Sequence, residues 1–411
     1  MSETTEPTTI AAKGDLILEV GQDEASRKFS YRVDSELLKQ NSRYFDNLLS
    51  LRFNEGQQLL AALEALQAAG HSSFADVPVD ALPSITIVNV GRISKVSSIQ
   101  SLVADFLRAL HNQDLSVANP PVANLANLAV VADRFDALQH FSRYIQRRKY
   151  LVALDARTKA RGSASIPEEK ARQKLLVGLL FDHSPWVTRY SKQLILRDSV
   201  LWKPGAVGDS TAALWWDVPN GIEDELIKRR ECILDTINSL QSHFLKLYTS
   251  GERQCKLGYD SSPQCDSFQL GEAIRFFTRL GTLRLQGTIY DNTEPSYYNG
   301  DISRLLESLR QSPSYQIDRN HAHCGLRSRF IPLLDLLQNY LFLEASSLEI
   351  GICNDCWKKH RDVYPWSSAK GPMLWSPVKS CDEFTGMPRG CLARHLIIRD
   401  IFMAVERNWT A

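Results

Sequence analysis

The pattern of apolar and polar positions changes character along the chain. Residues 15–20 (DLILEV) are a short apolar run, a polar turn (GQDEAS) follows, and residues 29–33 (FSYRV) alternate with a period of two. That is the signature of a β-hairpin. Asp34 and Ser35 then open a helix, with Asp34 as the N-cap because its carboxylate can accept the free N–H groups of the first turn. Leu37, Leu38, Tyr44, Phe45, Leu48 and Leu49 supply apolar faces for one or two short helices. Residues 56–82 begin helical (QQLLAALEALQAA) and become loop-like, and residues 84–90 (SITIVNV) read as a third strand. Stripes at Leu102, Phe106 and Leu107, and at Leu125, Leu128, Ala129, Ala132, Phe135 and Leu138, predict further helices that Phe141, Tyr144 and Ile145 close.

The second half follows a different rule. Ile222, Leu226, Ile233, Ile237, Leu240, Phe244 and Leu247 recur at helical spacing, which predicts one long amphipathic helix ending before Gly251. Helices are also expected at 170–181, 267–280, 301–311 (with Asp301 as N-cap), 330–346 and 391–408. Residues 361–390, rich in Pro, Ser, Gly and Trp, predict no regular structure. The expected class is therefore α+β. Residues 1–13 read as a disordered tail, 14–150 as a short sheet with a helical cluster, 151–168 as a linker and 169–411 as a mostly α-helical domain.

Composition narrows the function. A chain of 411 residues implies two or three domains. With 48 basic and 47 acidic side chains, no net basic excess argues for nucleic acid as a partner. No stretch reaches the roughly eighteen apolar residues of a membrane span. The polar N-terminus lacks a signal-peptide pattern, so the expectation is a cytoplasmic or nuclear protein that is not secreted, with reduced thiols. The Asn408-Trp-Thr410 sequon then has no meaning. The segments GDLILEV, YRVDSELLKQNSRYF, ITIVNV and LANLAVVADRFDALQHFSRYI, in that order over residues 14–148, resemble a BTB/POZ domain. Leu38, Ser42 and Phe45 match its first helix, and Ala132, Asp133, Arg134 and Phe135 its later helical pair. With its helical second half, the whole chain looks most like the BTB proteins of filamentous fungi. Asp34 stands where the family often has a His, the 54–82 connection is long, and the short cullin-binding motif of ligase-adaptor members is not found.

The resemblance implies a protein–protein interaction module, not an enzyme, whose apolar helical face is covered either by a second copy or by the chain's own second half. Alternatives in decreasing order are a substrate adaptor that docks on a cullin scaffold, a transcriptional regulator and a metal-dependent enzyme. Phosphate loops, GxSxG and HExxH are absent. Residues 207–211 (VGDST) read as a loop, and Glu223, Asp224 and Glu225 as helix-dipole compensation. The run Arg147-Arg148-Lys149 suits a helix C-terminus, and the Trp residues at 202, 215, 216, 357, 366 and 375 suit a core more than a groove.

Metal chemistry is the remaining candidate. Structural zinc takes four N or S ligands, usually as two close pairs. Cys255 and Cys265 bracket a polar loop, and in HAHC (321–324) His321 and Cys324 have the two-residue gap that lets both face one ion while His323 points elsewhere. These four form the preferred set for a structural Zn2+. A second grouping starts from Cys353, Cys356 and His360 with a fourth ligand from Cys381, Cys391 or His395. A third would pair Cys353 and Cys356 with His321 and Cys324. The bland reading is that the thiols pack as small apolar groups.

Overall fold

A computed structural model describes residues 6–23, 27–70, 73–160, 166–202, 212–258, 262–283, 298, 300–342, 349–366, 373–375, 390–404 and 407–409. Cys381 and residues 207–211 lie outside that set. The chain divides into two compact units, Met1–Tyr190 with Asp209–Asn220, and Ser191–Gly208 with Gly221–Ala411.

The first unit carries a four-stranded sheet of β1 (Thr8–Thr9), β2 (Leu16–Gly21), β3 (Phe29–Val33) and β4 (Ser84–Val88) in the order β1-β3-β2-β4. Strands β2 and β3 form the predicted antiparallel hairpin, with Leu16 opposite Val33 and Val20 opposite Phe29. Strand β4 returns parallel to β2, with Leu18 opposite Ile85. Strand β4 is an edge strand with one face on the core: Ile85 and Ile87 are buried while Ser84, Thr86 and Val88 face water. Between hairpin and return lie α1 (Ser35–Asn41), α2 (Arg43–Leu48) and α3 (Asn54–Ala68), and after β4 come α4 (Ile99–Leu110), α5 (Val122–Arg134) and α6 (Leu138–Arg147).

Two caps seat the first helices. Asp34 Oδ1 accepts the Leu37 N–H at 3.0 Å. Ser42 caps α2 by accepting the Phe45 N–H at 3.2 Å, and its hydroxyl donates to the Phe135 carbonyl at 2.6 Å, joining α2 to the end of α5. Around this junction Phe45 stacks on Phe135, and Phe106 stacks on Phe141. The basic run ends α6 as expected: Arg147 donates to Asn112 and Arg148 pairs with Asp114.

Three expectations need correction. Residues 1–13 are not wholly a tail, because β1 pairs with β3 and Ile10 is buried. Residues 151–168 are not a plain linker: α7 (Tyr150–Ala160) is helical, and Asp155 accepts the Trp186 indole N–H at 2.8 Å. The domain boundary also moves. Helix α8 (Glu168–Leu180) packs on α5, and the division falls inside α9 (Ser184–Arg197), between Tyr190 and Ser191. Helix α7 buries Tyr150 and Leu151 in its first turn, while Val152, Ala156 and Arg157 are exposed, so its described part carries little apolar periodicity. Lys174 on α8 is fully buried, donating to Tyr190 Oη at 2.7 Å beneath the Trp186 ring.

The second unit is built on α10 (Ile222–Thr249), 28 residues or about 42 Å of helix. It also contains α11 (Ser262–Leu280), α12 (Ile302–Arg310), α13 (Leu326–Phe342), α14 (Asn354–Lys359), α15 (Cys391–Met403), and the parallel pair β5 (Met373–Trp375) and β6 (Arg407–Trp409). Asp301 caps α12 as predicted. Glu225 is not a solvated dipole partner. It is buried, accepts Arg229 Nε at 2.7 Å, and accepts the Trp366 N–H. Trp215, Trp357 and Trp366 are core residues of their respective units.

Ser42→Ala is expected to destabilise the protein by about 1–3 kcal/mol in urea denaturation, since it removes a cap and orphans a buried carbonyl. A pH effect follows from His111. Its Nδ1–H donates to the Leu107 carbonyl at 2.7 Å and its bare Nε2 accepts the Asp34 N–H at 3.0 Å. Burial outweighs the Leu107 carbonyl and the Asp34 and Asp15 carboxylates, and holds the imidazole below its ordinary 6.5. The unfolded chain therefore takes up a proton first, so stability is full above pH 6.5 and falls as pH drops through the folded-state value. Denaturation midpoints measured from neutral to mildly acidic pH should show this loss, and His111→Asn should flatten it.

Candidate metal centre

The sequence-predicted set converges. Cys255 lies in the irregular segment after α10, Cys265 in the first turn of α11, His321 in a 3-10 turn (Arg319–His321), and Cys324 just before α13. All four side chains are buried, and their ligand atoms lie within 4.8 Å of one another. His323 is exposed, as its spacing predicts.

Local chemistry sets each position. Asp318 caps the 3-10 turn by accepting the Asn320 N–H at 2.8 Å, and the Cys324 N–H returns to the His321 carbonyl at 2.9 Å. That tight turn puts His321 and Cys324 on one side. Gln269, buried on α11, donates to the Tyr315 carbonyl at 3.0 Å and accepts the Leu326 N–H at 2.8 Å, which clamps the turn to the helix bearing Cys265. The Gln254 N–H donates to Asp266 at 2.9 Å and positions Cys255. Gly258, at φ +72°, lets the chain curl back beneath the Cys255 sulfur, a conformation that side chains with a Cβ resist.

The distances are those of a coordination shell. Cys255 Sγ is 3.8 Å from Cys324 Sγ and 3.5 Å from His321 Nδ1. A tetrahedron with metal–sulfur bonds of about 2.3 Å and metal–nitrogen bonds of about 2.0 Å has edges of about 3.8 and 3.5 Å respectively. A disulfide would bring two sulfurs to about 2.05 Å. His321 Nδ1 faces the thiols while its Nε2 lies 3.9 Å from the Asp318 carboxylate, the orientation by which a carboxylate steers a metal-bound imidazole.

Burial pushes the Cys255 thiol up, but the Ser262 hydroxyl, the Leu257 and Gly258 backbone N–H groups and Cys324 outweigh it and bring it down to about 6. Cys265, buried beside Cys255 and Cys324, is pushed up to about 12. One thiolate thus forms readily at Cys255, while Cys265 resists a second negative charge. The apolar-packing reading fits poorly, because the three sulfurs cluster with one another and a histidine, with Leu257 as the partly buried apolar neighbour.

A second cluster joins Cys353, Cys356, Cys391 and His395, again within 4.8 Å of one another. The grouping that would borrow His321 and Cys324 for Cys353 and Cys356 is not formed, because those two belong to the first cluster. His360 is outside the set; it ends α14, with its N–H bonded to the Cys356 carbonyl. The ligand in its place, His395, follows Cys391 by four residues on α15, where both side chains share a face. That i,i+4 spacing was the available signal. Cys232 stands apart on α10, where burial pushes its thiol up to about 11. No family model, curated protein or solved structure matches the chain.

Asp318→Asn keeps the turn's cap acceptor but removes the charge behind His321. In chelator competition it should weaken Zn2+ binding at this centre by up to about tenfold, less than the loss of a hydrogen-bonded carboxylate would cause, because the carboxylate stands 3.9 Å away. Unchanged affinity would remove Asp318 from the site.

Proposed function

We propose that this protein is a non-enzymatic protein–protein interaction module, with a BTB/POZ-type docking unit followed by a helical unit stiffened by structural Zn2+ at Cys255, Cys265, His321 and Cys324. One observation carries the docking half. A hairpin, two capped short helices, a strand returning parallel to the first hairpin strand and a packed helical set follow one another in the order the BTB resemblance implies. Supporting it, the first unit leaves large apolar side chains uncovered on the turn into α3 and along that helix. Leu51 is 62% exposed, Phe53 49% and Leu60 43%. Phe53 is the extended residue that precedes α3, and Leu60 lies in its second turn. A self-complementary apolar stripe is the usual basis of a two-fold dimer.

The zinc half rests on the ligand edges. Soft thiolates with one imidazole in a tetrahedron favour zinc over calcium or magnesium, which take oxygen ligands. Four protein donors fill the tetrahedron and leave no position for an activated water, so the ion's work is to hold chain segments together.

Light scattering of the full chain should give twice its 46.4 kDa at micromolar concentration, and Phe53→Asp with Leu60→Asp should return the mass to one chain. A wild-type monomer would overturn self-association. Elemental analysis of the same sample, without zinc, would overturn the metal half separately.

A further inference from the structure

We infer that a second zinc-class ion sits among Cys353, Cys356, Cys391 and His395, that it clasps helix α15 to the helical unit, and that it is the exchangeable one of the two. The geometry repeats that of the first centre on different elements. Cys391 Sγ lies 3.9 Å from Cys353 Sγ and 3.7 Å from Cys356 Sγ, again the edges of a tetrahedron around an ion bonded to sulfur at about 2.3 Å. His395 supplies the fourth corner. Its ring is buried edge-on against Tyr364, and its Nδ1 is buried with no hydrogen-bond partner among the described residues. The donors come as a C-x2-C at the start of α14 and a C-x3-H at the start of α15, two segments otherwise far apart in sequence.

Both segments need such a tie. Helix α14 has six residues, too few to be stable alone. Its N-cap residue Cys353 is held by its N–H donating to Tyr364 Oη at 2.7 Å. Helix α15 has no buried residue in its first turn, from Cys391 to Arg394. Its packing comes later: Ile398, Ile401 and Phe402 are buried, and Phe402 stacks on Trp366. Thr236 on α10 donates to the Phe402 carbonyl, and the Trp409 indole donates to Ser239 at 3.1 Å. The thiol and imidazole set therefore anchors the end of α15 that apolar packing leaves loose.

The two centres differ in access. Every ligand of the first is buried, whereas Cys391 is exposed and Cys353 half-buried. A chelator reaches the second directly. Release there loosens the first turns of α15 from α14 without opening the first centre.

The test uses the full chain with zinc counted by elemental analysis, a chromogenic chelator to follow release, and hydrogen exchange to locate the change. Wild type should hold two zinc ions, one released fast and one slowly. Cys391→Ser should hold one, lack the fast phase, and lose protection over residues 391–397 while residues 251–258 and 318–326 keep theirs. Two ions retained in Cys391→Ser, a fast phase that survives it, or a wild type with a single ion that Cys391→Ser keeps would each overturn the inference. Protection lost across α10 and α11 as well would overturn the local clasp. Cys265→Ser should lose the slow ion and keep the fast one, and loss of the fast ion there would overturn the assignment of the exchangeable ion.

Discussion

Buried backbone carbonyls outside helices and sheets must find donors, and in the second unit side chains supply them. Arg229 is the clearest case. It is almost wholly buried, its Nη1 donates to the carbonyls of Ile350 and Gly351 at 2.8 and 3.0 Å, and its guanidinium lies 5.0 and 5.1 Å from the Tyr364 and Trp366 ring centres. Its neighbour Arg230 donates to the Gly300 carbonyl and to those of Ile195 and Leu196, which the last turn of α9 leaves without helical partners. Five fixed donors on one planar group make arginine suited to irregular chain. Each such bond left unmade would cost about 1–3 kcal/mol. The buried charge is tolerable because Glu225 answers Arg229 and Asp198 answers Arg230. Helix α10 is thus a rod whose polar side chains hold loops by their backbones.

Arginine donors tie a segment at its carbonyls, but they do not close its ends. The Cys/His clusters do. The first joins the segment after α10 to the one before α13, and the second joins α14 to α15. An ion at either cluster would close a long loop, which removes more chain entropy than a short-range contact would. Metal binding and folding would then be one equilibrium, because the donors of each set come together only in the folded chain. The first unit follows another logic. Its stability comes from stacked aromatics around Phe45, Phe106, Phe135 and Phe141, a cluster that needs no ion.

Much of this was legible in the sequence. Period-two alternation located the hairpin, and 3.6-residue periodicity located α10 to within two residues of its end, because both patterns are direct imprints of burial. Asp34 and Asp301 were readable as caps because capping is chemistry local to one turn. The set Cys255, Cys265, His321 and Cys324 could be assembled because two of its members share a turn. What failed depends on distance along the chain. His360 looked nearer to Cys353 than His395 does, yet a helix end turned it away. Glu225 looked like one acid among three at a helix start, and only the fold puts Arg229 and the Trp366 N–H against it. The boundary near residue 160 was misplaced because α8 is buried through Arg172, Gln173 and Lys174, polar residues that sequence patterning assigns to solvent.

That last feature bears on what the chain can do. A buried Lys174 beneath Trp186 and Tyr190, or a buried Arg172 over Trp216, looks in isolation like a cation site awaiting a ligand. Each already has its counter-charge, Asp155 and Glu168 respectively, so the aromatic faces are spent on internal cations. Each Cys/His cluster likewise gathers three sulfurs and one nitrogen within 4.8 Å of one another, so these side chains are directed inward at each other. The first unit differs in what it leaves outside: Leu51 and Phe53 ahead of α3 and Leu60 on it are uncovered, although most of the large apolar side chains around them are buried.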